Sequence, residues 1–284
     1  MKVSIGIIGT GWVGSSVAIS TLHAGICNEL LLNDMRMEVA EGDAMDLAQG
    51  ASFYPAAAVR TATIEQMRRC SAVVVTAGRG GRPGESRLDL LKDNAATIRS
   101  IGKIFEGYEG LLIVVTNPVD VLTHVMREAS GLPASRVIGT GTMLDTARLR
   151  QRLGEELQID PRSIHAQVIG EHGDSEVVLS SGARVGGTPL QKWPEWSRGR
   201  EQAIATEVRT AAYEIIRRKG ATNHAIGLVT AALLKWALRG DRRVLTVARA
   251  HENVEGVPDV ALSLPAVVTD SGAEQVIAPE MNDE

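Results

Sequence analysis

The feature that most constrains the fold is a glycine-rich turn near the N-terminus, between an apolar run and a helix-like stretch. Val3–Ile8 is mostly apolar and predicts a buried strand, and Gly9-Thr10-Gly11-Trp12-Val13-Gly14 follows it directly. This segment fits G-x-G-x-x-G, whose glycines permit a tight turn, close approach of the backbone to a pyrophosphate and close helix–strand packing. The chain is therefore predicted to begin with a dinucleotide-binding unit.

An acidic residue lies at the distance that such a unit requires. Asp34 follows the apolar run Glu29–Asn33 and stands twenty residues beyond Gly14. A carboxylate there accepts hydrogen bonds from ribose hydroxyls and repels a 2′-phosphate, which favours NAD over NADP. The alternative is a strand-end aspartate that caps the following helix, which we predict over Arg36–Gln49.

Two further apolar runs, Cys70–Thr76 and Leu111–Val115, continue the pattern, with a helix predicted over 88–107 between them. Such continuous runs are typical of parallel sheets covered on both faces. Ligands bind outside the carboxyl ends of these strands, which places Asn117 near a cofactor or a substrate oxygen. From spacing alone, a helix N-cap is an equally good interpretation of Asn117.

A mobile cationic loop is predicted over Ala77–Arg87, which contains four glycines, a proline and three arginines. One interpretation is a flexible connection with solvated charges. The other is a lid that closes an arginine over an anionic substrate.

The second half of the chain places one imidazole, His172, among the acids and glycines of Ile169–Ser175. A histidine beside charges is more often a solvated or capping residue. Upstream, however, Asp145 and Arg148 are three apart and share a helix face, as in a surface ion pair. Alternatively, Asp145 orients an imidazole and Arg148 grips a carboxylate with two hydrogen bonds. We interpret His172 as the proton donor and acceptor of a hydride-transfer enzyme.

A short predicted strand, Arg136–Gly139, marks the predicted boundary between a cofactor domain, residues 1–140, and a substrate domain, residues 141–284. Beyond it, the amphipathic pattern over 197–219 predicts a helix, and closing strands are predicted over 243–249 and 260–268. The predicted fold class is α/β, a doubly wound parallel Rossmann sheet followed by an α+β substrate domain.

Composition argues against several other classes of function. The net charge is −4 without a basic block, which argues against a nucleic-acid partner. Cys27 and Cys70 form no paired motif, which favours a reducing compartment and argues against a metal site. The early strand leaves no room for a signal peptide, and no apolar run approaches the roughly 20 residues of a membrane span. We therefore expect a cytoplasmic protein without a metal or a membrane partner.

Taken together, these motifs resemble the lactate/malate dehydrogenase family over almost the whole chain, from Ile5 to Val268. Besides the glycine turn with Asp34, the matching motifs are Pro83–Arg87, Val115–Asp120, Leu144–Arg148, Gly170–Ser175 and Leu262–Pro265. The resemblance implies an NAD-dependent enzyme that transfers a hydride between the cofactor and C2 of an L-2-hydroxy or 2-oxo acid. It also implies a homodimer or homotetramer.

The resemblance further implies roles for particular residues. His172 exchanges a proton with the substrate oxygen, Asp145 holds the imidazole, and Arg87 polarises the carbonyl from the lid. The implied substrate-binding residues are Arg148, which takes the carboxylate, Asn117, Gly81, Arg82 and Thr222. The implied cofactor-binding residues are Gly9, Thr10, Gly11, Trp12, Val13, Gly14, Asp34, Thr76, Ala77, Gly78, Asn94, Val115, Asn117 and Ile226. The family's cis-proline bond corresponds to Asn117–Pro118.

The lid departs from the family at Gly81, six residues before Arg87, where lactate enzymes carry glutamine and malate enzymes carry arginine. Because Gly81 has no side chain, we expect a 2-oxo acid with a bulkier, apolar side chain, branched or aromatic. The alternative is malate or lactate dehydrogenase activity, with Arg82 or Arg79 replacing the usual specificity residue. The family's C-terminal helix is expected about where the sequence ends, and its absence would leave the pocket more open.

Two hypotheses from other classes are weaker. An NAD-dependent glycosidase can share the glycine turn, but its metal site usually includes cysteine, and Cys27 and Cys70 belong to the cofactor half, away from His172. A non-catalytic relative is expected to have lost a catalytic residue. The arginines, the aspartate and the histidine of the implied site are all present.

Overall fold

Strands alternate with helices through the first half of the chain, as the predicted fold requires. The computed structural model describes residues 2–80, 87–194, 196–279 and 281, and only the backbone of Arg87. The strands are β1 Ser4–Ile8, β2 Glu29–Asn33, β3 Ala58–Thr61, β4 Ala72–Val75, β5 Leu111–Val114, β6 Val137–Gly139, β7 Ile164–His165, β8 Val168–Ile169, β9 Val177–Val178, β10 Arg184–Val185, β11 Thr188–Pro189, β12 Arg243–Val254, β13 Val257–Thr269 and β14 Gly272–Val276. The helices are α1 Trp12–His23, α2 Met37–Gln49, α3 Ile64–Met67, α4 Arg87–Ile104, α5 Val119–Ser130, α6 Met143–Leu157, α7 Arg198–Lys219 and α8 His224–Leu238.

One large sheet organises the described part of the chain, in the order β14-β13-β12-β6-β5-β4-β1-β2-β3. The six strands β1 to β6 pair in parallel. Their order reverses between β1 and β4, and a crevice forms outside the carboxyl ends of strands at such a reversal. The predicted doubly wound sheet is confirmed, and the glycine turn after β1 lies at this crevice.

The parallel strands are buried on both faces, which explains their uninterrupted apolar sequences. Ile5 and Ile7 of β1 pack on one face with residues of α1, α2 and α8. Val73 and Val75 of β4 pack on the other face with residues of α3, α4 and α5. Phe105, just after α4, is fully buried in this second layer. Successive side chains therefore enter opposite cores, as the period of two in a strand requires.

The sheet does not stop at the predicted domain boundary. Strand β12 pairs antiparallel with β6 through Ala248 and Gly139, and β13 and β14 extend the sheet beyond it. Close packing requires Gly139, because a Cβ there would lie 2.5 Å from Thr123 Oγ1. The last strands of the chain thus complete the sheet of the first half, while the division at residue 140 stays a prediction.

A separate core supports the second half. Leu149 and Leu153 of α6, Ile204 and Val208 of α7, and apolar residues of the small β7–β11 sheets form it. Ser197 is the N-cap residue of α7, and its hydroxyl accepts a hydrogen bond from the Arg200 amide. Since α6 contributes to this core, the turn between β6 and α6 connects the large sheet to the core of the second half.

Strand β3, helix α3 and strand β14 were not predicted from the sequence, although the capping box Thr63–Gln66 marks the start of α3. Strand β3 alternates exposed and half-buried residues at the edge of the sheet, so it lacks the apolar run of an internal strand. Strand β14 is interrupted by a register shift opposite Val267 and Val268. The predicted closing strands were too short, since they run over 243–254 and 257–269.

Candidate active site

The glycine turn is closed by backbone contacts that only glycine permits. Gly9 has φ +96°, and a Cβ there would lie 2.7 Å from the Ala77 nitrogen. A Cβ at Gly14 would lie 1.9 Å from the Gly9 carbonyl oxygen. A Cβ at Gly11 would meet no described protein atom within 4 Å, so the backbone there borders open space. Helix α1 begins at Trp12 without a side-chain cap, which leaves amide groups for an anion such as pyrophosphate.

Asp34 is fixed beside this turn. Its Oδ2 accepts a hydrogen bond from the Thr10 amide at 2.9 Å, and its Oδ1 accepts one from the Arg36 amide at 3.0 Å. Arg36, not Asp34, is the N-cap residue of α2. Each carboxylate oxygen keeps a further lone pair. The half-buried carboxylate can therefore still accept a hydrogen bond from a ribose.

Hydrogen bonds connect the segments after β4 and β5 to the glycine turn and to each other. Thr76 Oγ1 donates to the Gly9 carbonyl at 2.6 Å, and Thr116 Oγ1 donates to the Ala77 carbonyl at 2.8 Å. A Cβ at Gly78 would lie 2.3 Å from the Thr116 methyl group, so only glycine fits. These contacts set the floor of the crevice.

Asn94 of α4 joins the start of the lid to the end of β5. It is 2% exposed, its Oδ1 accepts from the Arg79 amide at 3.0 Å, and its Nδ2 donates to the Asn117 carbonyl at 3.2 Å. Val115 is buried, whereas the Asn117 side chain is exposed at the crevice. The N-cap interpretation of Asn117 was wrong, because Pro118 is the N-cap of α5, and the cis Asn117–Pro118 bond is present.

His172, Asp145 and Arg148 meet in one cluster. Asp145 Oδ2 lies 2.6 Å from His172 Nδ1, and Asp145 Oδ1 accepts a hydrogen bond from Arg148 Nη1 at 2.7 Å. The Asp145 side chain is only 3% exposed, while those of Arg148 and His172 are 15% and 24% exposed. The surface-pair interpretation of Asp145 and Arg148 was therefore wrong, as was a solvated His172.

A second carboxylate, on Asp120, holds the histidine from its backbone. Asp120 Oδ2 accepts a hydrogen bond from the His172 amide at 2.7 Å, which ties the loop after β8 to α5. Asp120 belongs to a matching motif, but its contact across the two halves could not be read from spacing. Burial, the largest cause, raises the pKa of Asp120 to about 6.

These carboxylates set the charge of the imidazole. Burial by itself lowers the pKa of His172, but the hydrogen bond and charge of Asp145, with the charge of Asp120, outweigh burial and raise it. Because Asp145 is an acceptor, His172 Nδ1 is assigned as the donor. Nε2 is then the nitrogen that can exchange a proton with a ligand.

The segment Ala77–Arg87, predicted as a lid, is described only at its two ends. Gly81 and Arg82 lie outside the described residues, as does the side chain of Arg87. Arg79, at the beginning of the lid, donates from Nη2 to Asp93 Oδ2 of α4 at 2.7 Å and from Nε at 3.0 Å. This pair holds the Arg79 guanidinium against α4.

Thr222 and Ile226 lie at the junction of α7 and α8. Thr222 is half-buried in the turn between the helices. Ile226 packs partly buried on the cofactor-side core, as does Val13, one residue after the 61% exposed Trp12. The structure thus brings α8 next to the start of α1.

Comparisons with known proteins agree with this fold and this geometry. The NAD binding domain model of the lactate/malate dehydrogenase family matches residues 2–139, and the alpha/beta C-terminal domain model matches residues 142–284. The chain belongs to the lactate/malate dehydrogenase family. It is an NAD-dependent L-2-hydroxy acid dehydrogenase, which confirms the predicted class of enzyme and its cofactor.

Individual relatives match over nearly their full length. An L-lactate dehydrogenase of Kosmotoga olearia is 42% identical, over 100% of this chain and 90% of that protein. One from Bacillus caldolyticus is 42% identical, over 98% of this chain and 90% of that protein. The ligand-bound crystal structure of a minor L-lactate dehydrogenase from Enterococcus mundtii has a TM-score of 0.96 at 39% identity, over 99% of this chain and 92% of that chain. In the described part of the chain, no helix is both long and apolar enough to cross a membrane.

A buried carboxyl group, that of Glu176, lies next to the segment Gly170–Ser175 that carries His172, and its burial was not predicted from the sequence. Glu176 is 4% exposed, and its Oε1 has no hydrogen-bond partner among the described residues. Burial, followed by the charge of Asp145, raises its pKa from 4.5 to about 7. Glu176 follows the Gly170–Ser175 motif directly, but nothing in the sequence marks it as buried.

We expect Glu176→Gln to flatten the decline of stability between pH 4.5 and pH 7. In this window the folded protein holds a proton that the unfolded chain has released, so the free energy of unfolding falls as pH rises. The variant lacks this titration, so between pH 4.5 and pH 8 its free energy of unfolding should rise relative to that of wild type by up to roughly 3 kcal/mol, at 1.36 kcal/mol per pKa unit. Urea unfolding across this range measures the effect. Glu252→Gln, at an exposed carboxylate, is the control, and equal slopes for all three proteins would exclude a raised pKa.

Proposed function

We propose that His172, Asp145, Arg148 and Arg87 form the catalytic group, and that the preferred substrates are 2-oxo acids with apolar side chains bulkier than that of pyruvate. The arrangement of His172 and Arg148 on the two oxygens of one buried aspartate carries the first part of this proposal. A proton carrier and an anion-binding arginine are thereby held in fixed positions by one carboxylate.

The glycine turn fits NAD. The open space at Gly11, the uncapped start of α1 and the fixed carboxylate of Asp34 suit a pyrophosphate and a ribose with free hydroxyls. When bound, NADH supplies the hydride that reduces C2 of the 2-oxo acid. The crevice is lined by Thr76, Ala77 and Gly78. It is bordered by Asn94, Val115 and Ile226, in the cofactor-binding roles that the family resemblance implies.

His172 supplies the proton that accompanies the hydride. Its Nδ1 is held by Asp145, so the proton leaves from Nε2 to the carbonyl oxygen in reduction and returns to Nε2 in oxidation. The raised pKa favours the imidazolium, the form that donates the proton in reduction. Asp145 stabilises that imidazolium, as the acid does in hydrolase triads.

Arginines hold and polarise the substrate. Arg148 donates one of its five N–H groups to Asp145, and the rest of the planar guanidinium can bind a carboxylate in a two-pronged hydrogen bond. Arg87, on the first turn of α4, approaches the carbonyl oxygen as negative charge develops there. Asn117 and Thr222 complete the pocket around C2.

The lid sequence supports a larger substrate. Gly81 stands where the family carries a glutamine or an arginine, and glycine has no side chain to fill the corresponding volume. Malate-like binding by Arg79 requires breaking its pair with Asp93, whereas Arg82 lies outside the described residues. Lactate dehydrogenase activity is the second candidate, because the relatives at about 42% identity carry that name.

We expect the kcat/KM values for NADH-dependent reduction of 2-oxoisocaproate and phenylpyruvate to exceed that for pyruvate about tenfold or more, the range of a hydrophobic pocket. Gly81→Gln should reduce this ratio about tenfold by refilling the pocket. Gly80→Gln, next to it, where a Cβ would meet no atom of the described residues within 4 Å, should keep the preference. Pyruvate as the best substrate would favour the second candidate, and oxaloacetate would favour Arg82 or Arg79 as a second cation.

We also propose that the chain forms a homodimer or homotetramer. Several large apolar side chains on and around α2 lie in solvent, among them Met35 at 98%, Met45 at 65% and Phe53 at 88% exposure. Clustered exposure of this kind is typical of a surface that another molecule covers.

A further inference from the structure

We propose that Asn223 is a positioning residue that fixes the turn carrying Thr222, a residue of the proposed substrate pocket, to the first helix of the cofactor half. The inference rests on the proposed function, because Thr222 and Ile226 act on substrate and cofactor only if that function holds. It concerns a side chain that the family resemblance leaves without a role.

The side-chain amide of Asn223 makes one hydrogen bond through its nitrogen and another through its oxygen. Its Nδ2 donates to Ser16 Oγ of α1 at 2.8 Å, and its Oδ1 accepts from Lys219 Nζ of α7 at 2.6 Å. Ser16 is 8% exposed and lies two residues beyond Gly14 of the glycine turn. A hydrogen bond shielded in this way joins residues 207 positions apart in the chain.

The use of this side chain is unusual for its position. Asn223 is the N-cap residue of α8, yet it makes no side-chain cap hydrogen bond to the helix. Asparagine is among the residues preferred at N-caps because its oxygen normally accepts from the first helical amides. Here that oxygen faces Lys219, and the amide group crosses to α1. The local stabilisation of α8 is forgone in favour of a contact between the two halves.

The backbones meet at the same point. A Cβ on Gly227 would lie 2.7 Å from the carbonyl carbon and oxygen of Ser16, so α8 crosses α1 in direct contact. Gly220, with φ +85°, ends α7 two residues before Thr222. The turn that carries Thr222 is therefore held between the C-cap of α7 and the contact of Asn223 and Gly227 with Ser16.

Loss of the Asn223 contact should disturb the substrate side more than the cofactor side. The glycine turn keeps its own contacts to Ala77 and Thr76, whereas Thr222 loses the link that orients its turn. We expect Asn223→Ala and Ser16→Ala each to raise the KM for the 2-oxo acid about two- to tenfold, the range of one hydrogen bond. The dissociation constant of NADH should change less than twofold.

A double-mutant cycle tests the link, with NADH and the 2-oxo acid that gives the highest kcat/KM. The double variant should be no worse than either single variant, because both remove the same contact. Asn223→Asp should restore the KM, since the Ser16 hydroxyl can donate to the carboxylate and Lys219 can pair with it. Ser20→Ala, the same substitution one turn along α1, should behave as wild type. Thermal unfolding and NADH fluorescence accompany each variant.

Parallel changes in KM, NADH affinity and Tm would show a merely structural contact and overturn the proposal, as would additive effects or an unchanged KM. If Asn223→Ala does not fold, Ser16→Ala and Asn223→Asp carry the same test. An active wild type with unaffected variants contradicts the role of Asn223 alone. A wild type without activity on any 2-oxo acid overturns the proposed function and this inference together.

Discussion

Asp145→Asn should lower kcat/KM for NADH-dependent 2-oxo acid reduction by about 10²- to 10⁴-fold, the range of a positioned general acid–base group. Asp145 accepts from His172 at 2.6 Å and from Arg148 at 2.7 Å. An asparagine amide offers one acceptor and one donor group where two acceptors are required. One of the two partners then faces an N–H group in a buried site.

The variant should also change the pH dependence. The hydrogen bond and charge of Asp145 raise the pKa of His172 against the opposing effect of burial. Without the charge, the pKa falls, and the imidazolium needed for reduction is lost at lower pH. The limb of the kcat/KM profile that reports His172 should move to lower pH, as measured by initial rates between pH 5 and 9.

Asp160→Asn provides the matched control. Asp160 also pairs with a nearby arginine, Arg162, but the Arg162 side chain is 90% exposed, so this substitution should leave kcat/KM within about twofold of wild type because exposed pairs contribute little. An Asp145→Asn protein with more than a tenth of the wild-type kcat/KM and an unmoved pH profile would contradict the role assigned to Asp145.

Arg148→Lys should raise the KM for the 2-oxo acid about 100-fold or more, since hydrogen bonds to charged groups contribute about 1.5–3 kcal/mol each. Lysine keeps the positive charge but replaces the planar fork with a single ammonium group. It cannot hold Asp145 and both oxygens of a substrate carboxylate in the same plane. The expected loss therefore reports geometry and not charge.

Steady-state kinetics with the 2-oxo acid varied at saturating NADH measure this effect, and NADH affinity should stay near that of wild type. Arg152→Lys is the matched control, one turn further along α6, where Arg152 pairs with Glu156. It should leave KM unchanged within about twofold. A KM for Arg148→Lys within threefold of wild type would exclude Arg148 as the carboxylate ligand.

Much of the fold could be predicted because the parallel strands are buried on both faces. Their runs of isoleucine, leucine and valine predict strands even when the neighbouring strands are not known, as in Leu111–Val114 and Ala72–Val75. Edge strands carry no such signal, so Ala58–Thr61 was missed. Pairing over long distances was also missed, which is why the return of β12 to β6 was not foreseen.

The candidate site could be predicted where its residues belong to motifs. His172, Asp145 and Arg148 were placed together from two separate motifs, and their contacts bring them together in the structure. Asp120 and Glu176 had no assigned role, because their importance comes from burial and from contacts between segments far apart in sequence. Local spacing carries no information about either.

The proposed function is tested most directly by NADH oxidation by the wild-type protein and by His172→Asn with the best 2-oxo acid, with chiral analysis of the product. We expect wild type to form one L-2-hydroxy acid for each NADH consumed. His172→Asn should bind NADH with unchanged affinity but turn over about 10²- to 10⁴-fold more slowly. NADH binding without 2-oxo acid reduction by wild type, or near-wild-type turnover by His172→Asn, would contradict it.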